Sequence, residues 1–167
     1  MSNVNNLKKQ AIEFLCDKKY QSAYDVFNAL DNIGACDAKD YAKYSEASYF
    51  LGLYDEAEEY LRKGYKVEKR NPGICYGLAY LLSTKGKNED ALIFAEEACR
   101  LKPKEGEYLS LKGNILMSLH RYKDALTCYE KGIANNPTSF ALHNNLGNVL
   151  NSLGRLEESL AVYKKAI

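Results

Sequence analysis

At 167 residues the chain is long enough for one domain with a sizeable core, and its 46% apolar and 27% charged content is ordinary for a folded globular protein. Twenty-three Lys and Arg against 22 Asp and Glu leave a formal net charge of +1, which excludes a global electrostatic pull on nucleic acid or anionic lipid. No run approaches the roughly 18 apolar residues of a membrane span, and the polar start from Met1 to Asn6 has none of the features of a secretory signal.

The expected address is therefore the cytoplasm, with neither nucleic acid nor membrane among the partners. Cys16, Cys36, Cys75, Cys99 and Cys128 form an odd set without a C-x-x-C pair. They read as small buried hydrophobes in a reducing compartment.

Taken from the N-terminus, the first recurring segment is Lys19-Tyr20-Gln21-Ser22-Ala23. It returns as Leu53-Tyr54-Asp55-Glu56-Ala57, then Lys87-Asn88-Glu89-Asp90-Ala91, then Arg121-Tyr122-Lys123-Asp124-Ala125, and finally Arg155-Leu156-Glu157-Glu158-Ser159. Each step is 34 residues, without an insertion. A second, small position keeps the step at Ala11, Ser45, Ala79, Gly113 and Gly147, and a third, mostly large one at Phe27, Leu61, Ala95, Tyr129 and Tyr163. Unbroken phasing of this kind marks a repeat architecture, with units over 4–37, 38–71, 72–105, 106–139 and 140–167.

One unit reads as two amphipathic helices and a tight turn. In the fifth, Leu146, Leu150 and Leu153 follow at spacings of four and three, one face of a helix. Gly154 is a helix stop, and Leu156 opens a second helix with Leu160 and Tyr163 on its inner face. Glu157, Glu158, Lys164 and Lys165 fall mostly outside. The small residues let two helices approach, since a short side chain admits the other helix's ridge. The prolines agree. Asn71-Pro72 sets a capping side chain before a proline at the first helical position, and Pro103 and Pro137 follow second helices.

These segments resemble the tetratricopeptide repeat family, whose 34-residue unit favours small residues, aromatics and a closing proline at these places. The resemblance runs from about Val4 to Ile167 and implies an all-α fold, a right-handed α-solenoid of five tandem helical hairpins. The first two units lack the closing proline, the third has Asn88 and Ala95 where aromatics are usual, and Ser159 stands in for alanine. Arrays of this kind usually end in a polar-faced capping helix. The sequence stops at Ala166-Ile167 inside the second helix of the last unit, so the expectation is an N-terminal piece of a longer protein. The alternative is self-association through the uncapped C-terminal helix.

In the resembled family a ligand lies against the first helix of each unit, in the concave groove. Carried onto this chain, that wall is basic at its start, aromatic in the middle and amide-rich at its end. Lys8 and Lys43 could receive an acidic group. Tyr76 and Tyr80, one turn apart, are the aromatic candidates. Asn114, Asn144, Asn145 and Asn148 offer both amide donors and carbonyl acceptors, which suits an extended peptide backbone. His143-Asn144-Asn145-Leu146-Gly147-Asn148 is similar to units of protein O-GlcNAc transferases, where an asparagine ladder holds peptide. The lysine, asparagine and arginine clamp of chaperone-binding relatives is not reproduced: Lys8 matches its first place, but Ile12, Lys43, Gly73 and Tyr76 occupy the others.

Chemistry is not signalled. His120 and His143 have no Cys, His or Asp at metal-ligand spacing, no glycine loop cradles phosphate, and no nucleophile–base set can be assembled. The sequence therefore points to a non-enzymatic protein–protein interaction scaffold, needing no cofactor or metal, whose partner is a protein or peptide gripped in the groove. The alternative is the regulatory, substrate-recruiting arm of a larger enzyme.

Overall fold

In a computed structural model that describes residues 2–165, the described residues form ten helices and no strand. They are α1 (Ser2–Cys16), α2 (Tyr20–Asn32), α3 (Ala38–Phe50), α4 (Tyr54–Val67), α5 (Pro72–Thr84), α6 (Asn88–Leu101), α7 (Gly106–Ser118), α8 (Tyr122–Asn135), α9 (Phe140–Ser152) and α10 (Leu156–Lys165). Ala166 and Ile167, the end of the fifth predicted unit, lie outside the described residues. The chain divides into two compact bodies, Met1–Leu78 and Ala79–Ile167.

One turn geometry recurs after every first helix. Lys18, Gly52, Gly86, His120 and Gly154, each 34 residues from the next, all hold a positive φ between 58° and 80°. In each case the next residue's N–H closes on the carbonyl five positions back: Lys19 on Phe14, Leu53 on Ser48, Lys87 on Leu82, Arg121 on Leu116 and Arg155 on Leu150, at 2.8–2.9 Å. This is the left-handed helix stop in which a carbonyl of the last turn regains a partner. Three of the five positions are glycine, for which a positive φ carries no steric penalty. Lys18 and His120 adopt it with a side chain, and His120 accompanies it with a 2.7 Å contact between Nδ1 and the Tyr122 hydroxyl.

In the first body the core is aromatic. Tyr44 is fully buried, stacked on Tyr60 with ring centroids 3.6 Å apart and on Phe27 at 5.8 Å, and met edge-on by Tyr24. The hydroxyls stay paired despite burial. Tyr60 donates to Tyr44 at 2.9 Å, and Tyr24 donates to Glu56 at 2.6 Å. Ala11, Leu15, Ala23, Leu30 and Ala47 complete this cluster. Helix α3 opens on a capping box: Asp37 accepts from the Lys39 and Asp40 amides, and Asp40 accepts from the Asp37 amide. At α5, Asn71 Oδ1 accepts from the amides of Gly73 and Ile74, as the Asn71-Pro72 pair predicts.

In the second body small residues on first helices meet large ones on second helices, a pairing that the recurrence alone did not specify. A Cβ added at Gly113 would overlap the Tyr129 ring, and one at Gly147 would overlap the Tyr163 ring, so each glycine admits a tyrosine from the second helix of its own hairpin. At Gly132 an added Cβ would stand 2.9 Å from Leu142 Cδ2, which lets α8 and α9 approach. The recurring small position is sealed throughout: Ala23, Ala57, Ala91 and Ala125 are fully buried, and Ser159 nearly so. The serine hydroxyl is satisfied by donating to the Gly147 carbonyl at 2.8 Å, so its replacement of alanine leaves no orphaned polar atom.

Two expectations need correction. Leu160, expected on the inner face of α10, is 57% exposed, and Leu156, one turn before it, is exposed too. The equivalent Leu92 is buried and Leu126 partly so. In the first body Tyr24, one of the residues at this register, meets Tyr44 of the following hairpin, so the position also packs between hairpins. Among the cysteines, Cys75 and Cys128 are buried and Cys36 and Cys99 half-buried, but Cys16, on the last turn of α1, is exposed. All five are free thiols. Burial pushes the Cys36 thiol up to about 12 and the Cys99 thiol up to about 11.

Candidate functional site

Helices α7 and α9 lie side by side in the second body, and the amide-rich residues come from these two first helices. Asn145 on α9 reaches across to α7, where its Nδ2 donates to Ser110 Oγ and to Asn114 Oδ1, both at 3.2 Å. Asn114 Oδ1 also accepts from the Tyr129 hydroxyl at 2.8 Å. One hairpin later the second contact recurs, with Asn148 Oδ1 accepting from the Tyr163 hydroxyl at 2.7 Å. Asn114 and Asn148 are exposed, Asn145 is half-buried, and the exposed Asn144 takes no part in the network.

The local sequence explains why both pairs form. Gly113 and Asn114 are consecutive, as are Gly147 and Asn148, and each glycine leaves room for the tyrosine ring. The ring, slotted over the glycine, carries its hydroxyl to the neighbouring asparagine. Tyr129 is 1% exposed and its hydroxyl is held protonated, its pKa raised by burial first and by the nearby Cys128 second. A neutral hydroxyl is what an asparagine carbonyl needs as donor. Further along the same helices, Ser118 donates to the backbone carbonyl of Asn114 and Ser152 to that of Asn148, at 3.2 and 3.1 Å. The two segments are thus equivalent in hydrogen bonding as well as in register.

The other candidate residues stand elsewhere. Lys8 is not a free cation: its ammonium pairs with Asp37 at 3.2 Å and, closer still, with Asp40, tying α1 to the start of α3. Burial of this side chain works against its charge, but the bonds to Asp40 and Asp37 outweigh it and raise the lysine's pKa. Lys43 pairs with Glu46 at 2.7 Å on the exposed side of α3. Tyr76 is half-buried in the first body; Tyr80, on the same helix but in the second body, is 39% exposed. The structure therefore joins Asn114, Asn145 and Asn148 to a common pair of helices and leaves the two lysines in ion pairs within the chain. Tyr129, Tyr163 and Ser110 are the residues whose bearing on the asparagines spacing alone did not reveal. The available signal was the recurrence of asparagine and tyrosine fifteen residues apart at 114/129 and 148/163.

Among the described residues no group of three or more His, Cys, Asp or Glu side chains could hold a metal ion. No helix among these residues is long and apolar enough to cross a membrane.

Residues 72–105 match a family model described as tetratricopeptide repeat, and residues 111–167 match a second model of the same description. The chain carries tetratricopeptide repeats. A curated relative, the small glutamine-rich tetratricopeptide repeat-containing protein 2 of Mycosarcoma maydis, is 29% identical over 89 residues, 53% of this chain. This chain spans only about a quarter of that relative's length. Among solved structures, MamA 41-end from Desulfovibrio magneticus RS-1 matches with a TM-score of 0.90 at 14% identity, covering 99% of this chain and 94% of that one. A further crystal structure of MamA matches with a TM-score of 0.85 at 17% identity, covering 93% and 91%. The fold is the all-α tetratricopeptide solenoid.

Proposed function

We propose that this chain is a non-enzymatic scaffold that binds a protein partner through an extended peptide laid along the α7–α9 face. The observation that carries the reading is the bridge from Asn145 to Ser110 and Asn114, which assembles amide groups of two successive hairpins into one fixed array. Amides pair with any peptide backbone because they carry both a donor and an acceptor. Asparagine is a mediocre helix former, so amides at 144, 145 and 148 have a propensity cost that an inert solvated face would not need. Tyr80, in the same body, would contribute aromatic contact to a ligand side chain. Lys8 and Lys43 are left out because their charges are already paired.

The test is direct. Random dodecapeptides are panned against residues 1–167, the best binder is synthesised, and its affinity is measured for the wild type, Asn145→Ala and Asn148→Ala. Weaker binding by each variant, roughly threefold to tenfold for one net hydrogen bond, is expected. Unchanged affinity in both would refute the amide face as the site.

A further inference from the structure

The tyrosines of the second helices touch no ligand on this reading, yet the geometry points to a role for them. We propose that Tyr129 and Tyr163 are positioning residues that set the polarity of the α7–α9 face, so that it presents fixed N–H donors at Asn114 and Asn148 and a carbonyl acceptor at Asn145. The inference rests on the peptide-binding reading above and goes further: it names which ligand atom each asparagine takes.

A primary amide is planar, with its oxygen and its NH₂ on opposite sides of the terminal carbon. Whatever engages one turns the other away. At Asn114 the oxygen is held from two directions, by the Tyr129 hydroxyl at 2.8 Å and by Asn145 Nδ2 at 3.2 Å. At Asn148 the Tyr163 hydroxyl holds it at 2.7 Å. Both side chains are exposed, so their NH₂ groups face outward. Asn145 is turned the other way. Its Nδ2 is occupied by Ser110 and Asn114, which leaves Oδ1 as the outward group.

An asparagine free to rotate offers a donor and an acceptor in turn and loses rotamer freedom on binding. Here the hydroxyls remove that freedom beforehand, which is preorganisation. The tyrosines in turn are fixed by Gly113 and Gly147, whose missing Cβ atoms make the slots for the rings. The site therefore takes an extended backbone that meets Asn114 and Asn148 with carbonyl oxygens and Asn145 with an N–H. The remaining hairpins lack this device, since Ala11-Ile12, Ser45-Glu46 and Ala79-Tyr80 occupy the places of Gly-Asn.

Two measurements test the proposal. In the free protein, NMR hydrogen exchange of the side-chain amides should show the Asn114 and Asn148 NH₂ protons exchanging fast and those of Asn145 protected. Slow exchange at Asn114 and Asn148 would mean that their nitrogens face the tyrosines, and would overturn the polarity whatever the protein binds. With the selected dodecapeptide, Tyr129→Phe and Tyr163→Phe keep the rings in their slots and remove only the hydroxyls. Each should weaken binding about threefold to tenfold while leaving the thermal midpoint nearly unchanged, and N-methylating the peptide nitrogen opposite Asn145 should weaken wild-type binding similarly. If Asn145→Ala and Asn148→Ala weaken binding but both phenylalanine variants bind like wild type, the positioning role fails while the function stands. If the asparagine variants also bind like wild type, the functional reading itself is refuted.

Discussion

Substituting alanine for Gly113 separates packing from propensity, because the two effects have opposite signs there. Gly113 lies inside α7, where alanine is favoured over glycine by about 1 kcal/mol. Three atoms of the Tyr129 ring stand closer than 3.0 Å to the position an added Cβ would take, and no real contact of that kind is this short. A ring edge can swing away only if there is room. Tyr129 is 1% exposed and tethered at its far end to Asn114, so it has little. Overpacking of this kind costs about 1–3 kcal/mol, with the tether favouring the upper half. The net expectation is a loss of about 1–2 kcal/mol, or a thermal midpoint a few degrees lower in a chain of this size. Gly113→Ala combined with Tyr129→Leu sets a small residue against a leucine, as at Ser45 and Leu61 of the second unit, and removes the ring, so the double variant should lose less than the two single losses summed. Circular-dichroism melts of the four proteins form the cycle. A midpoint for Gly113→Ala equal to or above wild type, or strict additivity in the cycle, would show that the glycine is not there to admit the ring.

Other perturbations read different parts of the fold. Lys18→Gly should stabilise by about 0.5–1 kcal/mol by relieving a side chain at φ 59°, and His120→Gly should gain less because it forfeits the Tyr122 contact; denaturant titration ranks the two. The carboxyls of Asp31 and Asp37 are both held below their usual value. Burial opposes this at both, but is outweighed at Asp31 by Tyr41 and Lys63, and at Asp37 by the Asp40 amide and Lys8. A lowered folded pKa contributes stability that is present above the unfolded value and lost as pH falls through the folded one, so the thermal midpoint should decline from about pH 4 downward. Lys8, whose pKa is raised, contributes stability that is lost only as pH climbs past 10.5, and Lys8→Met should flatten that alkaline limb. A thiol-reactive dye at pH 8 should label Cys16 fast and the other four slowly, since Cys75 and Cys128 are buried and burial holds the Cys36 and Cys99 thiols protonated.

The fold was legible because its information lies in register. A 34-residue step sets where each helix turns and where small and large residues recur, whereas the meeting of Gly113 with Tyr129 and of Gly147 with Tyr163 shows only in the packing. The left-handed stop was half visible. Gly154 announced it, while Lys18 and His120 hold the same backbone angle without the residue that usually signals it. Leu160 was misplaced because heptad-like spacing tells that a residue lies on a face, not which hairpin covers that face. Tyr24 shows that this register also serves the junction with the following hairpin. Cys16 is the same problem on a smaller scale, since residue type alone predicts burial only on average.

The candidate site was legible to the level of residues and opaque to the level of atoms. The family resemblance placed Asn114, Asn145 and Asn148 on the groove side of first helices, and it equally placed Lys8 and Lys43 there. What separates them is long-range. Lys8 meets carboxylates about thirty residues away at the start of α3, a pairing that no local pattern encodes. The asparagines meet tyrosines fifteen residues away on the facing helix. An asparagine is symmetric in sequence, able to donate or accept, and only its partner breaks that symmetry. The hydroxyls of Tyr129 and Tyr163 break it in the same sense in two successive hairpins, while the Asn145 bridge breaks it in the opposite sense between them. The 34-residue phase repeats that orientation from one hairpin to the next, and on the proposed reading a peptide backbone, alternating carbonyl and N–H, would be met by such an order.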